Sequence, residues 1–418
     1  MYSADGEVLA EYNREYPLII RGDAVLQDAG EWWNQICIGI TQTVQISGVN
    51  EIDGISVSTQ GISVVPVDAD GNPICEAVSW LDMRAAAETE SLIDKFGKDY
   101  LFRSTGKHAE PSYTLPMLMH LKNTEPDVFA KAEKFLLPLD FINMKLTGRP
   151  VTDYTIAGGT MAFDLRRREW SEELLGFAGL SAEKLPKVGC MGDFVGKVKP
   201  EVAAELGIIG KLEVFLGGQD QKLAAIGAGI KDGDMTVSIG TATAVTRLID
   251  NIPDKADYSV FPFDRSSCSA EGVLRTSGSA LKWLSGIMFG KASYREMDVL
   301  CEEAGGSDGV VFSPDMTENA SITGLSLKST RGNIIYALYE GVSREIAALA
   351  EEMGGARNLR VFGGGSKSEI WCKVLADTAK IPVIILNTPE TASRGAAMLA
   401  SGMKLKPAPA EKIINPVK

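Results

Sequence analysis

Residues 359–379 read LRVFGGGSKSEIWCKVLADTA. The apolar run from Leu359 to Phe362 predicts a strand, and the pattern from Ser368 to Ala379 predicts a helix. The loop between them contains Gly363, Gly364, Gly365 and Ser366. Free N–H groups at a helix start suit a phosphate, and a glycine surface suits a flat base or a ribose. Taken alone, the loop is consistent with nucleotide binding or with a tight strand-to-helix turn; it is not a Walker A loop, because no Gly-Lys-Ser/Thr follows.

A second glycine segment, Gly217-Gly218-Gln219-Asp220-Gln221, follows a short predicted strand at residues 213–216. A carboxylate at the end of a strand can take a proton from an attacking hydroxyl group. Asp220 is also placed to act as the N-cap of a helix that begins near Lys222, which is the simpler role without other evidence. The residues alone leave both roles open.

A third segment, Ser238-Ile239-Gly240-Thr241, lies between two predicted strands at residues 235–239 and 242–248. Gly240 lets the backbone approach a phosphate closely, and Thr241 adds a hydroxyl donor. Glycine is favoured in turns for structural reasons as well, so this hairpin alone is weak evidence for phosphate binding.

Predicted strands and helices are mixed in both halves of the chain. The clearest are a helix at residues 31–47, a buried strand at residues 52–58 and a helix at residues 333–353. Asp5-Gly6 predicts a hairpin turn, followed by a strand at residues 7–12. Several hairpins among the helices favour α/β layers with mixed sheets over a purely parallel doubly wound sheet. We expect a domain boundary near Leu212.

The 418-residue chain has the length of two domains and an ordinary globular composition. Its net charge of −13 argues against a nucleic-acid or anionic-membrane partner, because no basic surface offsets the repulsion of phosphates. The six cysteines are scattered without a CxxC pair, which predicts reduced thiols in the cytoplasm. No apolar run reaches the length of a membrane span, and the N-terminus does not resemble a signal peptide.

Together these segments resemble those of the FGGY carbohydrate kinases. Residues 217–229 look like the segment that carries the family's catalytic base, and residues 238–241 look like its second phosphate loop. Residues 363–371, with Ala376-Asp377 and Pro382-Val383, look like its adenosine motif, and Glu340-Gly341 resembles the helix of one family signature. Order and spacing agree over nearly the whole chain, so coincidence is improbable although each motif alone is weak.

The resemblance implies an α/β fold of two actin-like ATPase (ribonuclease H-like) domains with a cleft between them: a sugar-binding domain at residues 1–212 and a nucleotide-binding domain at residues 213–418. It implies transfer of the γ-phosphoryl group of ATP to a small sugar, with Mg²⁺ neutralising charge and Asp220 as general base. The residues expected to bind the nucleotide are Gly240, Thr241, Gly363, Gly364, Gly365, Ser366 and Ser368. The expected partners are the sugar and ATP, and a homodimer is the candidate assembly.

For the sugar, the resemblance points to two segments, at residues 58–61 and 80–84. The residues that match the family's substrate positions are Gln60, Gly61, Trp80, Asp82 and Arg84, together with Asp220. An aspartate and an arginine two residues apart suit the recognition of hydroxyl groups. The alternative for Asp82 and Arg84 is a helix-start cap and a surface charge. Asp140 and Asp153 also match family positions, without a firm role.

Several positions depart from particular branches of the family. Gly61-Ile62 stands where glycerol kinases carry Arg-Glu, and Thr59-Gln60-Gly61 stands where xylulose kinases carry Met-His-Gly. The compact stretch at residues 312–327 looks more like the fuculose kinases. We therefore expect a ketose of the xylulose or fuculose type, and the exact sugar stays open. Met117 and His120 replace a Lys and a Trp of the first family signature.

The start of the chain is the largest departure. The family opens with an Asp-x-Gly-Thr hairpin strand that contacts Mg²⁺ and phosphate, and this chain begins where that strand would be ending. We therefore expect an unpaired edge in the first sheet and a poor kinase.

The second hypothesis for the function is a catalytically weak sugar- or nucleotide-binding protein on the same fold, although an intact Asp220 speaks against it. A third, an actin- or chaperone-like ATPase, would not need the sugar residues around Trp80.

Overall fold

Strands and helices are mixed along the whole chain in the computed structural model, which describes residues 1–290, 293–317, 319–388 and 390–417. The strands are β1 Ile19–Arg21, β2 Ala24–Gln27, β3 Gly54–Thr59, β4 Val65–Val67, β5 Ala77–Val78, β6 Lys134–Leu136, β7 Val151–Asp153, β8 Phe163–Asp164, β9 Glu169–Trp170, β10 Lys187–Gly189, β11 Phe194–Lys197, β12 Glu213–Gln219, β13 Met235–Ile239, β14 Thr243–Ile249, β15 Ser259–Pro262, β16 Cys268–Leu274, β17 Val311–Ser313, β18 Ser321–Thr323, β19 Leu359–Phe362, β20 Val383–Leu386 and β21 Ala410–Ile414.

The α-helices are α1 Ala29–Ser47, α2 Ala86–Phe96, α3 Lys98–Thr105, α4 Thr114–Thr124, α5 Pro126–Lys131, α6 Pro138–Thr147, α7 Tyr154–Ala157, α8 Glu172–Ala178, α9 Pro200–Leu206, α10 Asp220–Gly227, α11 Gly278–Phe289, α12 Tyr294–Ala304, α13 Arg331–Glu352, α14 Glu369–Ala379 and α15 Thr391–Ala400. Short 3₁₀ helices lie at Ala182–Lys184 and Gly364–Lys367. None of the helices in the described ranges is long and apolar enough to cross a membrane.

The chain forms two compact units, each assembled from separate segments. The first unit comprises residues 1–227, 250–268 and 392–406, and the second comprises residues 228–249, 269–391 and 407–418. The strand that follows the boundary expected near Leu212 is β12, which lies in the first unit together with α10. All six cysteines are free thiols.

Helix α1 confirms the helix predicted at residues 31–47, and capping residues set its ends. The side chain of Asp28 accepts a hydrogen bond from the N–H of Gly30 at 2.7 Å, and Gly48 ends the helix in the left-handed region. Trp32 of this helix packs edge-on against Phe141 of α6, with ring centroids 6.1 Å apart. These side chains belong to the same buried cluster as the inward-facing residues of β12, so α1 and α6 support that strand.

The sheet that positions the site has the strand order β11-β12-β3. β12 runs parallel to β3, with Glu213 opposite Gly54 and Gln219 opposite Thr59, and antiparallel to β11. Within the part of the chain that the structure describes, β3 forms one edge of this sheet. Because the carboxyl ends of parallel strands meet at the same edge, the residues that follow Thr59 and Gln219 lie together.

Asp140 of α6 is a fully buried carboxyl group in the core of the first unit. Its Oδ2 accepts a hydrogen bond from the N–H of Leu137 at 2.8 Å. Burial raises the pKa of Asp140 from an ordinary 3.8 to about 8. Between these two pKa values the folded protein binds more protons than the unfolded chain, so this group makes the free energy of unfolding fall as the pH rises through that window.

We expect Asp140→Asn to weaken this dependence of stability on pH. Asparagine keeps an acceptor for Leu137 and cannot ionise, so the variant should resemble the wild type most closely below about pH 4 and exceed its stability increasingly as the pH rises to about 8. Thermal unfolding across this range measures the effect, with the exposed Asp94→Asn as the control. Stability curves that run parallel for the wild type and Asp140→Asn would contradict the prediction.

The second unit is built on a mixed sheet in which β16, β14, β13, β19, β20 and β21 follow one another. β13 and β14 form the predicted hairpin, and β13 is parallel to β19. The strand, glycine loop and helix predicted at residues 359–379 are confirmed as β19, a 3₁₀ turn and α14. The stacked rings of Tyr339 and Trp371, 4.7 Å apart, pack α13 against α14.

One predicted strand is absent at the start of the chain. Asp5-Gly6 forms the expected turn, which backbone hydrogen bonds close. Beyond it, only Val8 pairs, in a single bridge with Tyr2, and the described residues 7–12 contain no strand. The strand prediction for residues 7–12 is therefore wrong, because an alternating pattern does not by itself supply the neighbouring strand that a ladder requires.

Candidate active site

The carboxyl ends of β3 and β12 bring three of the predicted residues together. Gln219 pairs with Thr59, so Gln60 and Gly61 follow β3 beside the point where Asp220 follows β12. A Cβ atom built on Gly61 would lie 3.6 Å from Cγ of Gln219. The structure therefore places Gln60 and Gly61 next to the segment that carries Asp220.

Asp220 is the first residue of α10, so the helix begins earlier than the sequence indicated. Its Oδ1 accepts a hydrogen bond from the N–H of Gln221 at 2.7 Å. The N-terminal end of a helix dipole favours negative charge. The carboxylate thus lies where the ionised form that a base requires is stabilised.

Two glycines allow β12 to approach its neighbours closely. A Cβ atom on Gly217 would lie 1.8 Å from the carbonyl oxygen of Val57. A Cβ atom on Gly218 would lie 2.9 Å from Sδ of Met191 and 3.0 Å from Oγ1 of Thr155. The ladder with β3 also shifts register just before Gly218. A larger side chain at Gly217 would push β12 away from β3 and displace the segment that precedes Asp220.

Gln60 is held by Gln27, a residue that the sequence analysis did not identify. Nε2 of Gln60 donates to Oε1 of Gln27 at 2.6 Å, and Gln27 is buried. Gln27 ends β2 and belongs to no motif. Its signal in the sequence is a polar side chain at the end of an apolar strand, which is too common to indicate a site. The contact fixes the Gln60 amide beside the strand ends.

Asp82 and Arg84 form an ion pair close in sequence to Trp80, which is 45% exposed. Nε of Arg84 donates to Oδ2 of Asp82 at 2.9 Å, and the buried Asp82 carboxylate also accepts from the N–H of Val25 at 3.0 Å. Helix α2 begins at Ala86, after Ala85 as its N-cap. The helix-cap alternative for Asp82 is therefore wrong, because its carboxylate orients Arg84 and ties this turn to β2.

Asp82 and Arg84 line a small cavity of about 110 Å³ in the first unit. Met117 and His120, the two departures from the first family signature, line the same cavity. Nδ1 of His120 lies 3.4 Å from Oε2 of Glu88, which is buried. The cavity walls carry charges of both signs, so polar hydroxyl-bearing groups suit it better than an apolar group does.

A buried cation lies two residues beyond Asp220. Lys222 is fully buried, and its Nζ lies 3.7 Å from the ring centroid of Phe261. Lys107 is also fully buried, contacts the same ring and donates from Nζ to the carbonyl oxygen of Val260 at 2.9 Å. Attraction between a cation and an aromatic face offsets part of the cost of burying each charge. No sequence motif predicted this pair of lysines.

In the second unit, Gly240 and Thr241 form the turn between β13 and β14. The N–H of Gly278 donates to the carbonyl oxygen of Gly240 at 3.0 Å. The N–H groups of Ser277 and Ser279 donate to the carbonyl oxygen of Thr241 at 3.2 and 3.1 Å. The start of α11 thus fixes this turn. This segment is hard to identify from the sequence, where its signal is a Ser-Gly-Ser run just before a predicted helix.

The predicted nucleotide loop packs against the same turn. Gly363 has a φ of 93°, which favours glycine, and a Cβ atom on it would lie 2.7 Å from the carbonyl oxygen of Ile239. A Cβ atom on Gly365 would lie 2.2 Å from Cγ2 of Ile239, whereas one on Gly364 would meet open space. The loop therefore lies beside Gly240, at the carboxyl ends of neighbouring parallel strands, where α/β proteins bind ligands.

The hydroxyl groups of Ser366 and Ser368 make hydrogen bonds within the protein. Oγ of Ser366 donates to the carbonyl oxygen of Gly363 at 2.8 Å, and Oγ of Ser368 donates to Oδ1 of Asp298 at 2.7 Å. The Tyr339 hydroxyl donates to the same carboxylate oxygen at 2.7 Å, and burial raises the pKa of Tyr339. These hydroxyl groups are therefore used within the protein, where they shape the loop.

Solved structures of sugar kinases share this fold. The ligand-bound xylulose kinase from Lactobacillus acidophilus superimposes with a TM-score of 0.91 at 23% identity, covering 100% of this chain and 90% of that chain. The Plasmodium falciparum glycerol kinase with ADP superimposes with a TM-score of 0.89 at 18% identity, covering 99% of this chain and 90% of that chain. The fold is thus the two-domain, actin-like ATPase fold, as the sequence predicted.

The amino-acid sequence places the chain within this class. The N-terminal domain model of the FGGY family of carbohydrate kinases matches residues 1–227, and the C-terminal domain model matches residues 235–403. The xylulose kinase of Bacillus subtilis (strain 168) is 30% identical over 423 residues, 96% of this chain and 85% of that protein. The L-fuculokinase of Escherichia coli (strain K12) is 29% identical over 395 residues, 90% of this chain and 81% of that protein. The chain belongs to the FGGY family of carbohydrate kinases and is a sugar phosphotransferase.

Proposed function

We propose that this kinase transfers the γ-phosphoryl group of ATP to a hydroxyl group of a small ketose, with Asp220 as the general base. The observation that carries the proposal is the meeting of Asp220 with Gln60 and Gly61 at the shared edge of β3 and β12. The relatives support a ketose, since two of them are named for xylulose and fuculose. The Gly61-Ile62 pair disfavours glycerol.

In the proposed reaction, the Asp220 carboxylate removes the proton from the attacking hydroxyl group as its oxygen forms a bond to the γ-phosphorus. The bond from the γ-phosphorus to the bridging oxygen of ADP breaks, and ADP leaves with the electron pair. Little covalent chemistry falls to the protein in such a transfer, so positioning and charge stabilisation supply most of the acceleration. The close packing of Gly217 and Gly218 provides that positioning for Asp220.

On the sugar side, we assign Trp80 a stacking role and Gln60 a role in binding hydroxyl groups. Trp80 exposes nearly half of its surface, which an apolar face of a sugar can cover. Arg84, oriented by the buried Asp82, adds a charged donor. Polar pairing of this kind discriminates strongly between sugars, because a missing hydroxyl leaves a donor or acceptor without its partner.

On the nucleotide side, we propose that the turn at Gly240-Thr241 and the loop at residues 363–366 bind the phosphates and the ribose of ATP, with Ser368 fixing the loop. Mg²⁺ bound to the phosphates of ATP would neutralise charge on the transferred group.

A panel of ketoses and polyols, including xylulose, fuculose and glycerol, tests the proposal in a coupled assay for ADP release. We expect turnover with a ketose, none with glycerol, and a loss of turnover in Asp220→Ala. Calorimetric titration of the same sugars separates this function from that of a catalytically weak binding protein. Sugar binding without ADP release by the wild type would favour the binding protein, and full activity of Asp220→Ala would overturn the assignment of the base.

A further inference from the structure

The N–H group of Gln219 is the last backbone donor before Asp220, and it is hydrogen-bonded to a side chain and not to a neighbouring strand. β11 pairs with β12 only as far as Phe215, and beyond it no strand of the described chain lies on this side of β12. The N–H of Gln219 donates instead to Oγ1 of Thr155 at 3.0 Å. Thr155 lies in α7 and is fully buried. Beyond Phe215, the backbone of Leu216 still bonds to Gly192 and Asp193, and the N–H of Gln219 is held by the hydroxyl group of Thr155.

Thr155 is itself fixed by a buried carboxylate. Asp153 is fully buried and accepts hydrogen bonds from the N–H of Thr155 at 2.8 Å and of Ile156 at 3.0 Å. Asp153 thus holds the backbone of Thr155, and the hydroxyl group of Thr155 holds the N–H of Gln219.

The surrounding backbone leaves Thr155 little freedom. A Cβ atom on Gly218 would lie 3.0 Å from Oγ1 of Thr155, so β12 lies directly against the threonine. Asp153 ends β7, which pairs in parallel with β10, and Gly189 lies opposite Asp153. One ladder therefore anchors Asp153, and the ladder of β12 with β3 anchors Gln219.

We infer that Thr155, held by Asp153, is a positioning residue for Asp220. Fixing the N–H of Gln219 fixes the peptide plane between Gly218 and Gln219, one residue before Asp220, and so limits how far the backbone that carries the carboxylate can move. Displacing a catalytic group by about 1 Å can cost on the order of 10²-fold in rate. The inference rests on the proposed role of Asp220 as the base. Thr155 acts only through Asp220 and contributes no contact to the sugar or the nucleotide.

Thr155→Val and Thr155→Ser test the inference, because valine keeps the shape of threonine and removes the hydroxyl group, whereas serine keeps it. With ATP and xylulose or fuculose, we expect Thr155→Val to lower kcat about 10- to 100-fold and to leave both KM values within about twofold. Thr155→Ser should retain most of the wild-type kcat. An unchanged kcat in Thr155→Val would overturn the inference.

Thr160→Val is the matched control for the loss of a buried hydroxyl group. Thr160 is buried, and its Oγ1 donates to the carbonyl oxygen of Ala157 at 2.6 Å, near α7 but without a contact to Gln219. We expect a similar drop in melting temperature for Thr155→Val and Thr160→Val and a loss of kcat only in the first. An equal loss of kcat in both variants would show that Thr155 has only a structural role and would overturn the inference.

Two measurements separate this inference from the assignment of the base. In the double variant Thr155→Val with Asp220→Asn, the effect of the first substitution should disappear, because both act through one carboxylate. A full effect in the Asp220→Asn background would show that Thr155 acts elsewhere. Independently of activity, hydrogen exchange at the Gln219 amide should be slow in the wild type and Thr155→Ser and faster in Thr155→Val. Unchanged exchange would overturn the contact itself, even if Asp220 proves to be the base.

Discussion

Asp220→Asn is expected to lower kcat by about 10²- to 10⁴-fold, the range that general-base catalysis contributes. Asparagine keeps the size of the side chain and can still accept the hydrogen bond from Gln221, so α10 should begin at the same residue. It cannot take a proton, so the loss should fall on kcat and leave the KM values for sugar and ATP nearly unchanged. Steady-state assays of ADP release with xylulose and fuculose measure this split.

Asp127→Asn serves as the control for Asp220→Asn. Asp127 is exposed on α5, in the same unit, and the substitution removes one negative charge there as well. We expect this variant to keep the wild-type kcat. If Asp220→Asn also keeps it, the carboxylate of Asp220 is not the base, and the helix-start role considered from the sequence becomes its better description.

Gly365→Ala is expected to damage the nucleotide loop and the stability of the second unit together. The added Cβ atom would lie 2.2 Å from Cγ2 and 2.8 Å from Cβ of Ile239, so either the loop or the end of β13 must move. Overpacking of this kind costs about 1–3 kcal/mol, which corresponds to a fall of several degrees in melting temperature. Because Gly240 follows Ile239, we also expect the KM for ATP to rise on the order of tenfold.

Gly364→Ala provides the matched comparison one residue earlier. A Cβ atom at this position would meet open space, so the melting temperature should stay close to that of the wild type. Differential scanning fluorimetry without ligand compares the two variants, and assays over a range of ATP concentrations give the KM. Equal melting temperatures for Gly365→Ala and Gly364→Ala would contradict the tight packing against Ile239.

Features set by local sequence were predictable, since neighbouring residues determine them. The apolar run at residues 359–362, the glycines after it and Ser368 together predicted a strand, a loop and a helix, because pattern, conformational freedom and capping act within a few residues. Asp28 and Gly48 set the two ends of α1 for the same reason. The hairpin at Gly240 was equally visible.

Features that depend on distant parts of the chain were not predictable. For Asp82 a helix cap was the alternative to a role in sugar binding, yet its carboxylate accepts a hydrogen bond from the N–H of Val25, and no residue near Asp82 in the sequence indicates that partner. Gln27 and Thr155 belong to no motif, and their roles exist only because β2 and α7 lie beside the ends of β3 and β12. Side chains that support a site are thus harder to find from sequence than those in a motif.

The first unit is completed late in the synthesis of the chain. Its last segment, residues 392–406, follows most of the second unit in the sequence. Leu399 of α15 packs against Leu223 of α10, and a Cβ atom on Gly395 would lie 2.0 Å from the carbonyl oxygen of Leu223, so α15 lies directly on the helix that begins with Asp220. A ribosome-bound chain must therefore extend past residue 400 before that helix can pack. The nascent kinase should stay catalytically inactive until residues 392–406 have emerged, and a gene cut between the two halves should yield no complete first unit.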